Sequence, residues 1–373
     1  MTKRNILLVS MCLLMMSVQG AGKKTLKNTV GKSFLIGAAV TVDQVSGKDK
    51  KGQQVAIEQF NSIVAENCMK GEVIHPEEDR YFWDDADAFV DFGNKHGMSV
   101  IGHCLVWHSQ PPKWMFTDAS GKFVTREILI ERMKSHIFTV MKRYKGKIHG
   151  WDVVNEAVED DGSFRKSHYY NIIGPDYIEL AFRFAHEADP DVELYINDFS
   201  MAKPAKRAAY CKLVRDLKSK GLRIDGIGMQ SHNGRDYPDL KEYEVSIDSF
   251  AALGVKVMIT ELDLNMLPNP KNFGGAEISQ TFEYDKAMNP YASGKMDAAG
   301  EKAFYDRYYA FFDIYHRHQH QISRVTLWGV SDNNTWLNDW PIKGRTNFPL
   351  LFDRQYNIKP VTEDIIKMFS DKK

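Results

Sequence analysis

Short apolar runs and longer amphipathic stretches alternate along the chain. The short runs lie at 34–40, 62–66, 99–104, 148–154, 192–197, 226–230, 255–260 and 324–329. They are rich in β-branched residues and apolar on both faces, as strands of a buried parallel sheet are. The longer stretches carry a helical period. In 83–96 the apolar positions are Trp83, Ala86, Phe89, Val90 and Gly93; in 126–143 they are Ile128, Ile130, Met133, Ile137, Val140 and Met141. Stretches 176–188, 205–220 and 302–316 read the same way. Gly97, Gly221 and Gly254 follow helical patterns just before strands, where a left-handed cap is wanted. Strands alternating with helices through one uninterrupted unit of about 340 residues predict an α/β fold, a (β/α)8 TIM barrel in a single domain. A doubly wound sheet would want a glycine-rich first turn, and Gly226-Ile227-Gly228 lacks the third glycine.

The chemically dense residues fall where these strands end: Glu66-Asn67, His103, Asn155-Glu156, Asn197-Asp198, Gln230 and His232, Glu261 and Asp263, Trp328. In a (β/α)8 barrel those ends converge on one face, where active sites form. One polar residue at a strand end is a loop start; seven strands ending this way predict a site.

The first twenty residues stand apart. Lys3 and Arg4 precede an almost wholly apolar run from Ile6 to Val18, and Gly20 is small enough for cleavage after it. This pattern predicts a signal peptide over 1–20 and an exported protein, secreted or periplasmic, with the catalytic domain spanning 21–373. The run is short of the roughly 20 residues a membrane span needs. Cleavage would leave Cys68, Cys104 and Cys211, an odd set without a CxxC pair, so buried thiols are expected rather than a disulfide framework or zinc cluster.

Composition excludes little beyond disorder. Hydrophobic residues make up 43% and charged residues 26% of 373. Lys+Arg and Asp+Glu are both 49, a balance that favours neither nucleic acid nor an anionic membrane. A monomer is expected, with no cofactor and no metal. His316, His318 and His320 are read as a solvated helix end.

Two glutamates stand out: Glu156 in Trp151-Asp152-Val153-Val154-Asn155-Glu156-Ala157, and Glu261 in Thr260-Glu261-Leu262-Asp263. They end the fourth and seventh strands and would face each other across the barrel mouth. Opposed carboxyls are what glycosidic cleavage needs, one to protonate the leaving oxygen and one to meet the anomeric carbon.

Together with Glu66-Asn67-Cys68-Met69-Lys70, Gly102-His103-Cys104-Leu105-Val106-Trp107-His108-Ser109-Gln110, Asp225-Gly226-Ile227-Gly228-Met229-Gln230-Ser231-His232 and Thr326-Leu327-Trp328-Gly329-Val330-Ser331-Asp332, these motifs make the chain resemble glycoside hydrolase family 10, the endo-1,4-β-xylanases, over roughly 34–367. The resemblance implies a retaining, double-displacement mechanism on xylan through a covalent glycosyl-enzyme, with Glu156 as acid/base and Glu261 as nucleophile. The residues agree with that division. A chain Asp263–His232–Glu261 would orient the imidazole and keep Glu261 ionised, while Glu156 should have a raised pKa. Asn155 is placed for the sugar 2-hydroxyl. By the same resemblance Glu66, Asn67, Lys70, His103 and Gln230 contact the non-reducing-side sugars, and Trp107, Trp328 and Trp336 form aromatic walls. Trp151 is read as core; Trp114 and Trp340 stay open.

Two alternatives stand beside this reading: a glucanase on a related barrel, and a sugar-binding protein that has lost catalysis. Two departures from the family pattern also matter. Gly71 stands where a larger residue is usual, which would loosen the next helix start or open the far end of the cleft. The stretch 266–300, with Pro268, Pro270, Gly274-Gly275, Pro290 and Gly294, is read as an irregular loop on the active face, either extending the leaving side or decorating it.

Overall fold

The computed structural model describes residues 24–273 and 278–370. The predicted leader lies outside the described residues. Among the described residues nine strands run β1 (Leu35–Val40), β2 (Ser62–Ala65), β3 (Ser99–Trp107), β4 (Gly150–Asn155), β5 (Glu193–Asp198), β6 (Gly226–Met229), β7 (His232–Gly234), β8 (Lys256–Asn265) and β9 (Ile322–Leu327). All named pairings are parallel, and β6–β8 together with β1–β9 close the sheet into an eight-stranded barrel. The short β7 continues β6 past Gln230 and Ser231 and pairs with the far end of β8, His232 opposite Asp263.

Helices cover the barrel: α1 (Lys50–Gln59), α2 (Asp84–Lys95), α3 (Arg126–Arg143), α4 (Tyr177–Ala188), α5 (Pro204–Ser219), α6 (Leu240–Ala251), α7 (Ala298–Arg317) and α8 (Pro360–Met368). Three of them, α1, α6 and α8, lie outside the helical stretches read from the sequence, although α6 buries Tyr243, Ile247 and Phe250 and α8 buries Val361, Ile365 and Ile366 at helical spacing. Helix α1 buries Gly52, Ala56 and Gln59, small or polar side chains that leave no amphipathic trace. It is set instead by its N-cap, Asp49 accepting from Gly52 N at 2.9 Å, as α6 is by Asp239 on Glu242 N at 2.9 Å. Proline at the first turn starts α8. Gly97, Gly221 and Gly254 all have left-handed backbones, with φ of 64°, 73° and 67°.

Between strands and helices lies the main apolar core. A second, smaller group fills the barrel itself: Ala39, Val64, Ile101, Tyr195, Met258 and Trp328, with Trp336 against it. Gly102 is required by packing, because a Cβ there would enter the ring of the buried Trp151. Cys68, Cys104 and Cys211 are buried free thiols. No helix among the described residues is long and apolar enough to cross a membrane.

Strands β3 and β8 run further than their apolar runs, to Trp107 and Asn265. The polar residues read as their ends still pair across the sheet, His103 with Asp152 and Asp263 with His232, and Trp107 beyond His103 pairs with Asn155. Register shifts between His103 and Val106, and again between Ile259 and Leu262, turn these ends toward the barrel mouth. Four non-glycine residues with left-handed backbones follow successive strands here: Gln110 (φ 51°), Glu156 (58°), Ser200 (53°) and Ser231 (64°). Such conformations cost on the order of 1–3 kcal/mol each and gather where a site over-determines them.

Candidate active site

Glu156 and Glu261 are buried at this mouth, 5% and 4% exposed, in opposite settings. Glu156 Oε2 accepts from Trp107 Nε1 at 2.8 Å, and its Oε1 from Gln230 Nε2 at 3.0 Å and Asn155 Nδ2 at 3.3 Å. His108 Nδ1 lies 3.8 Å from Oε2. Burial dominates and, with the Asp198 charge, pushes the Glu156 carboxyl above its usual range against the pull of His108, Gln230 and Trp107.

Burial acts on Glu261 as well, but there it loses. Oε2 accepts from His232 Nε2 at 3.1 Å and Oε1 from Asn197 Nδ2 at 2.8 Å. These bonds, with the charges of His232 and His103, hold the group below its usual value. His232 is in turn tied through Nδ1 to Asp263 Oδ2 at 3.0 Å. Burial disfavours the imidazolium, yet Asp263 and Glu261 overcome it and raise His232 to about 10. The expected Asp263–His232–Glu261 chain is therefore present, with a cationic histidine at its centre.

Asn155 and Asn197 link the two carboxylates. Asn155 Oδ1 accepts from Asn197 Nδ2 at 3.0 Å and from Gln230 Nε2 at 3.2 Å. Turned over, the Asn155 amide would instead donate to the Asn197 carbonyl and accept from Trp107 Nε1, both at 3.2 Å. Asn197 Nδ2 and Gln230 Nε2 are already fixed as donors by Glu261 and Glu156, so the oxygen belongs on their side. Thr260 Oγ1 donates to Asn197 Oδ1 at 2.6 Å and fixes that amide too.

The other predicted residues gather on one side. Lys70 Nζ donates to Asn67 Oδ1 at 2.9 Å and sits 5.2 Å from the Trp107 ring. Glu66 lies beside them; burial raises its pKa, and Lys70 and Asn67 partly offset this. His103 Nδ1 meets Asp152 Oδ2 at 2.9 Å, and its ring stands edge-on to Trp328 at 5.4 Å. On the opposite side Trp336 Nε1 donates to Asp263 Oδ2 at 2.7 Å, and its ring stacks on Trp340 at 4.5 Å. From there a largely apolar cavity of about 300 Å³ runs past His232 and Asp263 to Phe199, Tyr237, Phe273 and Trp340.

The sequence profile of glycosyl hydrolase family 10 matches residues 25–368. The chain belongs to glycosyl hydrolase family 10. It is 58% identical over 361 residues to endo-1,4-beta-xylanase A of Xylanibacter ruminicola, covering 97% of this chain and 98% of that one. To an endo-1,4-beta-xylanase of Geobacillus stearothermophilus it is 42% identical over 339 residues, covering 90% and 96%. Among solved structures, an endoxylanase retrieved from a sugarcane-soil metagenome superposes with a TM-score of 0.88 at 45% identity, covering 92% of this chain and 99% of that one.

The open points of this family 10 chain also resolve. Trp340 lines the cleft, whereas Trp114 is structural: its Nε1 donates to His75 O at 3.0 Å and Arg132 stacks on it. Gly71 opens a short helix, Gly71–Ile74, where an added Cβ would lie 3.1 Å from Pro112 Cδ; it permits close approach of two loops. Phe273, from the stretch after β8, packs on Trp340 at 5.4 Å and lines the same cavity. His318 is held by Gln321 and Glu244, both at 2.7 Å, and His316 packs edge-on to Phe369. Asn197, Thr260, His108 and Phe273 had no role read from sequence. Asn197 was visible as a polar strand end, but nothing linear joins it to Glu261, 64 residues away.

Proposed function

We propose that this family 10 glycosyl hydrolase is a retaining endo-1,4-β-xylanase. The observation that carries the reading is the opposite setting of two buried glutamates: Glu156 held toward its protonated form, Glu261 held ionised by His232 and Asn197. The relatives named as xylanases supply the substrate class.

In the first step the Glu261 carboxylate attacks the anomeric carbon while Glu156 gives its proton to the departing glycosidic oxygen. One C–O bond breaks, an ester to Glu261 forms, and the shortened chain leaves with the proton. Glu156 is then an anion facing a neutral ester, so it accepts a proton from water as that water attacks the same carbon. The ester breaks, Glu261 regains its charge, and the product has the β configuration. Glu66, Asn67, Lys70, His103 and Gln230 bind hydroxyls on the non-reducing side. Trp107, Trp328 and Trp336 present indole faces to the sugar C–H surfaces. Asn155 contacts the 2-hydroxyl. Side chains and water complete the chemistry, and the reading includes no metal or cofactor.

Reducing-sugar release from xylan, with NMR of the first-formed anomer, tests this. Fast cleavage of xylan over cellulose with β product first is expected. Equal rates on both polymers would remove the xylan preference, and an α product would remove retention. The same reading makes the enzyme an exported monomer, with export resting on the Lys3–Arg4 and Ile6–Val18 pattern; the exported protein should begin at Ala21 and run as one chain in light scattering.

A further inference from the structure

A buried ion pair stands directly behind Glu156. Lys206, on α5, and Asp198, at the end of β5, meet at 2.8 Å with both side chains fully buried. Removing two charges from water this completely is costly, and an apolar pair of similar volume would serve packing as well or better. Its geometry suggests another use.

Asp198 takes donors from the acid/base turn, from α5 and from its own following residue. Its Oδ2 accepts from Val158 N at 3.3 Å and from the Tyr210 hydroxyl, and its Oδ1 from Phe199 N at 2.8 Å. Val158 is two residues past Glu156, which itself has a left-handed backbone. On the other side of that residue, Glu156 N donates to Asn197 O at 2.8 Å, and Arg165 Nε donates to Glu156 O at 2.9 Å. Lys206 also reaches Asp160 at 3.5 Å, on the loop after Glu156, and lies 4.0 Å from the Phe199 ring.

We propose that Asp198, paired with Lys206, is a positioning residue for Glu156: it clamps the Glu156–Val158 turn and presents a fixed negative charge to the acid/base carboxyl. The inference rests on Glu156 being the acid/base. It accounts for a second contribution to Glu156's raised pKa beyond burial, since the Asp198 charge acts in the same direction. Several other groups face the Glu156 carboxyl. His108 and Trp107 do so from the end of β3, Gln230 from the end of β6, and Asn155 from its own strand. Around Asp198 stand Lys206, Tyr210 and Tyr177.

The test is the pH profile of kcat/KM for the full-length enzyme on xylan and on a dinitrophenyl xylobioside, whose departure needs no acid. Asp198→Asn removes the charge and keeps one of the two acceptor oxygens. The alkaline limb on xylan should move toward acid by about one pH unit, while the dinitrophenyl substrate changes little. Lys206→Met leaves the Asp198 charge uncompensated and should move the limb the other way. The double variant leaves neither charge unpaired in the core. It should fold if a single variant does not, and should show the acid-ward shift because the Asp198 charge is the one of the pair that acts on Glu156. Limbs that stay in place in every folded variant, with only melting temperature reduced, would make the pair structural and overturn the proposal. A wild-type alkaline limb equal on both substrates would instead count against Glu156 as the acid, a different failure.

Discussion

Asp263 and Trp336 share a bond that joins the cleft wall to the nucleophile's support: Trp336 Nε1 donates at 2.7 Å to the same Oδ2 that receives His232 Nδ1. The indole is thus part of the chain that ends on Glu261, and under the proposed function it is also a sugar surface. Trp336→Phe keeps the aromatic wall and removes the donor. A hydrogen bond to a charged group is worth roughly 1.5–3 kcal/mol, so kcat/KM on xylan should fall about 10-fold or more. The loss should lie in kcat rather than KM. A change confined to KM would make Trp336 a binding wall alone.

His232 is expected to set the acid limb of activity. Glu261 must be ionised to attack, and its pKa is held down against burial largely by His232. In His232→Asn that hold weakens and the pKa rises. The acid limb of kcat/KM should then move to higher pH, with a loss on the order of 10²-fold at the optimum. An unmoved limb would mean that Asn197 alone keeps Glu261 ionised.

Two histidines should shape stability in opposite pH ranges. His136 is pushed down to about 3 by burial and by His75, whose Nδ1 lies 3.0 Å from its own. The unfolded chain binds a proton there below about 6.5 and the folded chain does not, so stability is lost as pH falls from 6.5 toward 3. His232 is raised to about 10, so its contribution is complete below about 6.5 and is lost as pH rises through 10. Urea midpoints measured from pH 3 to 10 should flatten on the acid side in His136→Asn and on the alkaline side in His232→Asn.

Phe273 is expected to act on the leaving side. Its ring extends the Trp336–Trp340 stack along the cavity beyond the reacting centre. Phe273→Ala should raise KM for long xylo-oligosaccharides about 3- to 10-fold, the worth of roughly 0.5–1.5 kcal/mol of aromatic contact. Hydrolysis of an aryl xylobioside, which places little on that side, should be unchanged. Equal losses on both substrates would point to general destabilisation.

The barrel and its mouth were legible because parallel strands buried on both faces leave continuous apolar runs, and because their polar ends repeat. What escaped was set by other signals. Helix α1 buries small and polar residues, so its period is silent and only the Asp49 cap marks it. Strand β8 reads as ending at Thr260, yet Leu262 and Asp263 continue its pairing, and site residues inside a strand hide its length. The links among Asn155, Asn197, Gln230 and Thr260 join four strands, and that convergence exists only once the barrel closes. Phe273 lies in a stretch without periodicity, where no sequence pattern separates a cleft residue from decoration.

The roles of Glu156 and Glu261 are tested most directly by the configuration of the glycosyl azide that each alanine variant makes from an aryl xylobioside in added azide. Glu156→Ala should still form the ester on Glu261, accumulate it, and release a β-azide as the anion attacks the opened face. In Glu261→Ala no ester forms, and azide enters from the vacated nucleophile side to give an α-azide. An α-azide from Glu156→Ala and a β-azide from Glu261→Ala would exchange the two roles and contradict the account.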